Sequence, residues 1–500
     1  MRLIFKQGIT NKHKAQPMTA KILSLITLTL CSACSIQMPE LNNSDVPQTW
    51  QGPLQTDANI WPDKQWWKQF NNSEISQLLT QVQDNNLDIA NNRHNLQAAQ
   101  ITLRSAGFDL WPTPTLNIGS DKNWNNTSGD NIGTQSHQSH GLRAGISYTH
   151  ILSKPVNYDR AVAQYQSSLA SATDLALNTL GTSASTYFQI LLTRDKIKAA
   201  QQNLENAQAI ARIAQAKVDA GTSTAIDALQ QRIAVEQQRN NLRNFRQNEL
   251  SARASLALLL GRSVQDFTVE GQSLDDIIVP KVQPGIPSQL LQRRPDLVQV
   301  EANLRSSKAD VEIARLAFLP TISLTASGNS SSTSLSDLLH ASTTTVSITA
   351  DIVQTLLDNG QRFRDEESAR LRLQIALNTY RKTVIGAFNE VEVSLGNISL
   401  LDDLASVAAD DKERAEKAYH IAQARYREGV TDYQTVLTAQ NTLYSVRNSY
   451  FDNKLRQLNA IVNFYITLGG GWHIEEGEQL LVQKKKTDNK QAPKPHKVLP

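Results

Sequence analysis

The feature of this 500-residue chain that most limits how it can fold is an internal repeat with a constant spacing. Residues 213–217, IAQAK, recur as residues 421–425, IAQAR, which lie 208 positions further along the chain. The same spacing relates further pairs: Gly221 and Gly429, Leu229 and Leu437, and Trp111-Pro112-Thr113 and Leu319-Pro320-Thr321. Because the spacing persists over most of the chain, we expect a tandem duplication whose halves share one fold in pseudo-symmetric positions.

Each half has the same order of predicted elements: a leading helix, two strands, a long helix and a returning helix. In the leading helix of the second half, Leu297, Val300 and Leu304 follow helical spacing. The predicted helices span about residues 73–110, 160–219, 224–260, 288–318, 364–427 and 432–468. At about 1.5 Å per residue, the summed length of a returning helix and a leading helix, stacked end to end, is close to the length of one long helix. This arithmetic predicts an elongated helical barrel.

The predicted strands alternate apolar and polar residues. The apolar positions are Leu116, Ile118, Leu142, Ala144, Ile146, Tyr148, Ile322, Leu324, Ala326, Val346, Ile348, Ala350 and Ile352, and polar loops are expected at 119–140 and 328–343. Such alternation is typical of antiparallel sheets in general and of transmembrane β-barrels. Four strands cannot close a barrel, and lipid does not tolerate open edges, so membrane-spanning strands require several chains. Two chains would give eight strands filled by side chains, and three would give twelve strands around a pore.

Composition and motifs exclude several classes of protein. The chain has 50 basic and 47 acidic residues, a formal net charge of +3, and no long basic stripe outside its C-terminal end, so we expect no nucleic-acid partner. No apolar run is long enough for a membrane-spanning helix. There is no Walker-type loop, Ser/His/Asp arrangement or Cys-based metal spacing, and we predict no catalytic residue, metal or cofactor. His137 and His140 are more typical of an exposed polar loop than of a metal site.

An apolar stretch near the N-terminus, residues 22–30, indicates a secretion signal. It is followed by Cys31-Ser32-Ala33-Cys34, which resembles the bacterial lipobox, although Cys31 stands where that motif usually has leucine. The resemblance implies that Cys34 becomes the mature N-terminus and carries a covalent lipid, with N-acyl and S-diacylglycerol groups. A plain secretory signal with an incidental cysteine is the alternative. Ser35 after the cysteine resembles the outer-membrane sorting rule.

These patterns divide the chain into five parts. Residues 1–33 are the predicted signal peptide, and Met18 offers a compact start that would place 1–17 upstream of the true beginning. A lipidated N-terminal extension follows at 34–72, and the two repeats are at 73–285 and 286–475. The basic tail, 476–500, is predicted to be disordered.

Motifs along nearly the whole mature chain resemble the TolC/NodT family of outer-membrane channel factors. They include Trp66-Trp67-Lys68-Gln69-Phe70-Asn71, Arg294-Pro295-Asp296-Leu297, Tyr426-Arg427-Glu428-Gly429 and Leu468-Gly469-Gly470-Gly471-Trp472. Each motif alone is modest, but their order and spacing together are specific. The resemblance implies a mainly α protomer with a small transmembrane β part. It also implies a homotrimer in which a 12-stranded barrel in the outer membrane of a Gram-negative bacterium continues as a periplasmic α-helical barrel.

The resemblance also implies a function, which is passive export of small molecules such as drugs. The implied partners are a periplasmic adaptor (membrane fusion) protein, an inner-membrane transporter of the RND, MFS or ABC type, and outer-membrane lipid. A type I protein-secretion channel is one alternative, because the same conduit serves different inner-membrane partners. A second alternative is a coiled-coil lipoprotein without a pore, which leaves unexplained why paired strands occur at the same point of each repeat.

The turns at Gly221 and Gly429 are predicted to lie furthest from the membrane, at the mouth of the implied tunnel. In the family, hydrogen bonds and ion pairs between neighbouring hairpins close this end. Asp227 and Tyr426 match a gate acid of the family and its aromatic partner. The alternative interpretation of Asp227 is a solvated carboxylate at a helix start, where the helix dipole favours negative charge.

The family's gate arginine has no counterpart here, because Thr431 occupies its position. Arg425 or Arg427 is therefore the candidate partner of Asp227. The position six residues after Gly429, often acidic in the family, is Thr435.

Overall fold

A computed structural model describes residues 50–51, 63–127, 133–282, 290–339 and 344–471, which all belong to one compact unit, Asn42–Pro500. The predicted signal peptide, Cys34 and the tail 476–500 lie outside the described residues.

The described part of the chain is mainly helical, with four strands. The helices are α1 (Ser73–Asn85), α2 (Leu87–Phe108), α3 (Lys154–Asp219), α4 (Ala225–Leu259), α5 (Pro295–Leu316), α6 (Gln361–Arg427) and α7 (Tyr433–Thr467). The strands are β1 (Thr113–Thr127), β2 (Gly133–Tyr148), β3 (Thr321–Ser332) and β4 (Thr344–Val353), and a short helical turn, Leu290–Arg293, precedes α5. The predicted fold class, mainly α with a small β part repeated in tandem, is confirmed.

Two long helices, α3 with 66 residues and α6 with 67, each extend about 100 Å. α3 packs against α2, α4, α5 and α7, and α6 packs against α5 and α7. None of the helices in the described ranges combines the length and the apolarity that crossing a bilayer requires.

The largest hydrophobic core surrounds the short 3-10 helix Trp66–Phe70, whose Trp66 and Phe70 side chains are fully buried. The ring centroid of Trp66 lies 5.4 Å from that of Tyr465 in α7, and that of Phe70 lies 5.2 Å from that of Phe188 in α3. The aromatic N-terminal motif therefore fastens the start of the first repeat to the end of the second.

The first leading helix, predicted to be continuous over 73–110, is instead divided at Asn86. The Asn86 Oδ1 atom accepts hydrogen bonds from the amides of Asp88 (2.9 Å) and Ile89 (3.0 Å), which caps α2. Its Nδ2 atom donates to the Leu259 carbonyl at the end of α4, at 2.8 Å. The break lets the buried amide of Asn86 join two helices end to end, so the predicted stacking of α4 on α2 is confirmed.

The second leading helix, predicted over 288–318, is also divided, at Arg294. This residue precedes Pro295, whose ring disfavours a helical backbone at the preceding position, and its φ and ψ are −86° and 122°. The Arg294 guanidinium donates to the Thr467 carbonyl at the end of α7, at 3.4 Å. Since Asn86 and Arg294 are 208 positions apart, as are Leu259 and Thr467, the two junctions are equivalent points of the repeat.

The four strands form one antiparallel sheet in the order β1-β2-β3-β4. The prediction of a loop over 119–140 was wrong, because residues 119–127 belong to β1 and residues 133–140 to β2. The second predicted loop, 328–343, is only shortened, because β3 continues to Ser332. Backbone hydrogen bonds between antiparallel strands do not depend on side-chain polarity, so the ladder continues beyond the alternating residues. Alternation marks only the part of the hairpin that has an apolar face.

Candidate functional site

The register of the sheet places the predicted apolar residues on one continuous face. Ala326 of β3 lies opposite Ile146 of β2 on one side and Ile348 of β4 on the other. Leu116 and Ile118 of β1 are opposite Ala144 and Leu142. The side chain of Ile348 is 85% exposed, and that of Ile118 is 70% exposed. Such a face is unusual in water but suits contact with lipid.

The opposite face of the sheet is polar. Its cross-strand rows consist of residues such as Thr115, Ser147, Thr325 and Thr349, and the hydroxyl oxygens of Ser327 and Ser347 lie 3.0 Å apart. A wall with one apolar and one polar face can separate lipid from water.

Both edges of the sheet are open within the described residues, because β1 pairs only with β2 and β4 pairs only with β3. An open edge leaves backbone N–H and C=O groups without partners, and each such group is costly in lipid. The wall is therefore incomplete in a single chain.

At the other end of the long helices, Gly221 and Gly429 have positive φ angles of 71° and 77°. The amide of Thr222 donates to the Lys217 carbonyl at 2.8 Å, and that of Val430 to the Arg425 carbonyl at 2.9 Å. Both are the 6→1 bonds of a Schellman motif, in which glycine adopts the left-handed conformation without steric cost. The two hairpin tips thus reverse the chain in the same way.

Asp227 belongs to a capping box at the start of α4. Its Oδ2 atom accepts hydrogen bonds from the Ser223 hydroxyl (2.6 Å), the Thr224 hydroxyl (2.9 Å) and the Thr224 amide (3.1 Å). These bonds to the ionised form hold the pKa of Asp227 below its usual range. In the single chain, Asp227 is thus a helix-start carboxylate.

In the second hairpin tip, the carboxylate lies at the N-cap and not at the third helical position, where Asp227 lies in the first. Asp432 is the N-cap of α7, and its Oδ1 atom accepts from the Thr435 amide (2.9 Å) and hydroxyl (2.6 Å). Asp432 corresponds to Thr224 in the repeat, and Thr435 corresponds to Asp227. In the second repeat, the acid thus stands at position 432, three residues before position 435, where the first repeat would place it. Aligning Thr224 and Asp227 with Asp432 and Thr435 predicts this exchange from the sequence.

Side chains from the two hairpins meet at the tips around Tyr426 of α6, which is buried. The Lys217 Nζ atom of α3 lies 3.9 Å from the centroid of the Tyr426 ring, and the Tyr433 ring of α7 lies 5.9 Å from it. Burial, together with the nearby charge of Asp227, raises the pKa of Tyr426. Helices α3, α6 and α7 thus meet in one contact, and the charge of Asp227 in α4 lies near it.

Arg425 and Arg427 are exposed, and neither forms an ion pair with Asp227 within the described residues. A pairing between neighbouring chains stays a prediction. The residue that sequence reasoning missed is Lys217, which occupies the place of Arg425 in the first repeat. The repeat therefore signals a cation at this point of both long helices, and the cation of the first helix contacts the tyrosine of the second.

Comparison with known proteins agrees with this arrangement. Residues 78–262 and 286–470 each match the outer membrane efflux protein family. The pyoverdine export outer membrane protein OpmQ of Pseudomonas putida is 30% identical over 469 residues, which cover 91% of this chain and 98% of OpmQ. The probable efflux pump outer membrane protein TtgC of Pseudomonas putida is 27% identical over 476 residues, which cover 92% of this chain and 98% of TtgC.

Among solved structures, the Campylobacter jejuni CmeC outer membrane channel has the same fold, with a TM-score of 0.81 over 91% of this chain and 98% of CmeC, at 22% identity. The two-faced sheet, the duplicated hairpins and these matches lead to one conclusion: the chain belongs to the outer membrane efflux protein family and is a TolC-type channel protein of the outer membrane.

Proposed function

We propose that three copies of this chain form a passive conduit without catalytic activity, through which small molecules leave the cell. The observation that carries the proposal is the four-stranded sheet, apolar on one face and polar on the other, with both edges open. Pairing β4 of each chain with β1 of the next would satisfy every edge in a closed barrel of twelve strands with a pore. The polar face would then line the pore.

The cargo and partners of the conduit follow from its relatives. OpmQ is named for pyoverdine export and TtgC for an efflux pump. We propose that this chain likewise exports small molecules, drugs included, as the outer-membrane member of a tripartite system. An inner-membrane transporter would deliver the cargo and a periplasmic adaptor protein would bridge the two. Co-purification of both partners with the full chain from cross-linked membranes tests this part of the proposal.

Conductance in planar bilayers tests the conduit, and one pair of neighbouring substitutions tests its orientation. Ile348→Arg places a charge on the apolar face and is expected to cost about 2–4 kcal/mol near the middle of the bilayer, so fewer trimers should assemble. Ser347→Arg places the same charge on the polar face, where trimers should form with altered conductance. Trimer yield is measured on gels with and without heating. Equal loss of trimers in both variants would contradict the orientation.

We also propose that the hairpin tips close the conduit and that Asp227 contributes to closure. Asp227→Ala should raise the closed-state conductance, but it also removes the cap of α4. Asp432→Ala removes the equivalent cap of α7 and is therefore the matched control. Lys217→Met removes the cation over Tyr426 without touching either cap, and it should raise conductance too. Equal conductance increases in Asp227→Ala and Asp432→Ala, with none in Lys217→Met, would point to loosened helix ends and refute a specific gate.

Finally, we propose that Cys34 carries the lipid anchor, because Ser32-Ala33-Cys34 follows an apolar run. Each buried methylene of an acyl chain contributes about 0.8 kcal/mol to membrane binding. Since the barrel would also insert, Cys34→Ala should impair sorting more than trimer formation. Mass spectrometry of the mature protein gives the direct answer, and an unmodified Cys34 would refute this assignment.

A further inference from the structure

One arginine stands apart on the polar face of the sheet. Arg143, in the middle of β2, is the only Lys or Arg on this face among the described residues of the four strands. It is exposed, and within the described part of the chain it forms neither a hydrogen bond nor an ion pair. Its guanidinium N–H groups are therefore available to a ligand that carries oxygen acceptors.

The neighbours of Arg143 leave room for a ligand and offer it further donors. In the register, Asn117 of β1 and Asn329 of β3 lie directly opposite Arg143 on its two sides. The same-face neighbours along β2 are Gly141 and Gly145, and the space where a side chain at Gly141 would lie is empty. The row therefore combines one guanidinium with two neutral amides, and no carboxylate interrupts it.

The acidic residues of this face lie far along the strands. Asp121 lies opposite Ser139, four residues from Arg143, which corresponds to about 13 Å of strand. Asp351 lies opposite Ser323, which is six residues, or about 20 Å, from Asn329. Both separations exceed the screening length of about 8 Å at physiological salt, so neither carboxylate cancels the charge of Arg143.

We propose that Arg143, flanked by Asn117 and Asn329, forms an anion-binding ring inside the pore, and that the exported cargo includes small molecules bearing oxyanion groups. The inference rests on the proposed trimer, in which the three-fold axis repeats the row three times around the lumen. A guanidinium binds oxyanions through paired N–H groups, and low-dielectric walls focus its field into the pore. Because the site faces water, binding is weak enough for the cargo to leave.

The first test measures charge selectivity of the purified full-length protein in planar bilayers under a KCl gradient. Arg143→Gln should shift the reversal potential toward cation preference, and Arg143→Glu should shift it further in the same direction. Lys122→Gln is the matched control, since this lysine lies on the outer face of the neighbouring strand beside Trp124. It removes a barrel cation outside the lumen, and the reversal potential should stay unchanged.

The second test uses citrate as a multivalent anion probe. Citrate should block the wild-type current, and half-block of Arg143→Gln should need about tenfold more citrate, because charge-assisted hydrogen bonds are lost. Identical reversal potentials and citrate block in wild type and Arg143→Gln would overturn the inference while leaving the conduit intact. A wild-type trimer that conducts no ions would instead overturn the proposed function, and the inference with it.

Discussion

At each of the two junctions between a returning helix and a leading helix, a side chain donates a hydrogen bond to the end of the returning helix, but the side chains differ. At the first junction, the neutral amide of Asn86 donates to the Leu259 carbonyl. At the second, the guanidinium of Arg294 donates to the Thr467 carbonyl. The duplication has therefore kept the end-to-end contact of the helices while the donor changed from neutral to charged.

The charged donor brings a network that the neutral one does not need. Arg294 is buried, and its Nε and Nη2 atoms donate to the two carboxylate oxygens of Asp296, at 2.9 and 2.7 Å. Its Nη1 atom also donates to Glu390 of α6 at 2.8 Å. Asp174 of α3 lies close enough for its charge to interact with Arg294 and Asp296. A buried charge requires such compensation, so the second junction ties together three helices, whereas Asn86 caps one helix and joins another.

Among the changes that test this comparison, removal of Arg294 should lower the unfolding free energy most. Arg294→Ala leaves the partly buried carboxylate of Asp296 and the exposed carboxylate of Glu390 without their cation and removes the donor to Thr467, so we expect a loss of about 2–3 kcal/mol in unfolding free energy. Denaturant unfolding of the detergent-solubilised chain, followed by circular dichroism, measures it. Arg305→Ala is the control, because Arg305 pairs with Glu301 at the surface of the same helix and should cost less than about 1 kcal/mol. Equal losses in the two variants would show that the network does not stabilise the junction.

Removal of Asn86 should have a smaller effect. Asn86→Ala eliminates one helix cap and one bond to the Leu259 carbonyl without stranding any charge, which predicts a loss of about 1–2 kcal/mol. Thr80→Ala, in the exposed part of α1, removes a bond within one helix only and serves as the control. If Asn86→Ala were as damaging as Arg294→Ala, the cost would lie in separating the stacked helices and not in the buried charge.

The junctions also show what a sequence can and cannot predict here. The order of elements, the long helices and the apolar face of the sheet follow from residue spacing, which is local information. The cap that Asn86 provides for α2 is local, but its bond to Leu259 is not, because only the folded chain brings that residue, 173 positions away, near Asn86. Pro295 likewise marks a helix start locally, whereas the bond from Arg294 to Thr467 again needs the folded chain.

The hairpin tips show the same difference between local features, which the sequence predicts, and contacts between distant residues, which it does not. Gly221 and Gly429 are predictable as helix ends because glycine tolerates the left-handed turn. The contact of Lys217 with Tyr426 is not, since helical phase does not fix how two separate hairpins are turned toward each other. Arg143 was likewise overlooked, because alternation reveals which face a residue occupies but not which charges lie near it.

The smallest predicted effect concerns Asp174 at the charged junction. Burial first, and then the Asp296 carboxylate, raise the pKa of Asp174, although Arg294 opposes them. An acid whose pKa is higher in the folded state destabilises the fold while it is ionised, so Asp174→Asn should slightly stabilise the protein at neutral pH. The gain should shrink as pH falls through the folded-state pKa and vanish below the unfolded value of about 3.9, where both states are protonated. Unfolding free energies of wild type and Asp174→Asn across this pH range measure the difference. A variant that is less stable than wild type at neutral pH would mean that the Asp174 carboxylate supports Arg294, and that the second junction needs all of its charges.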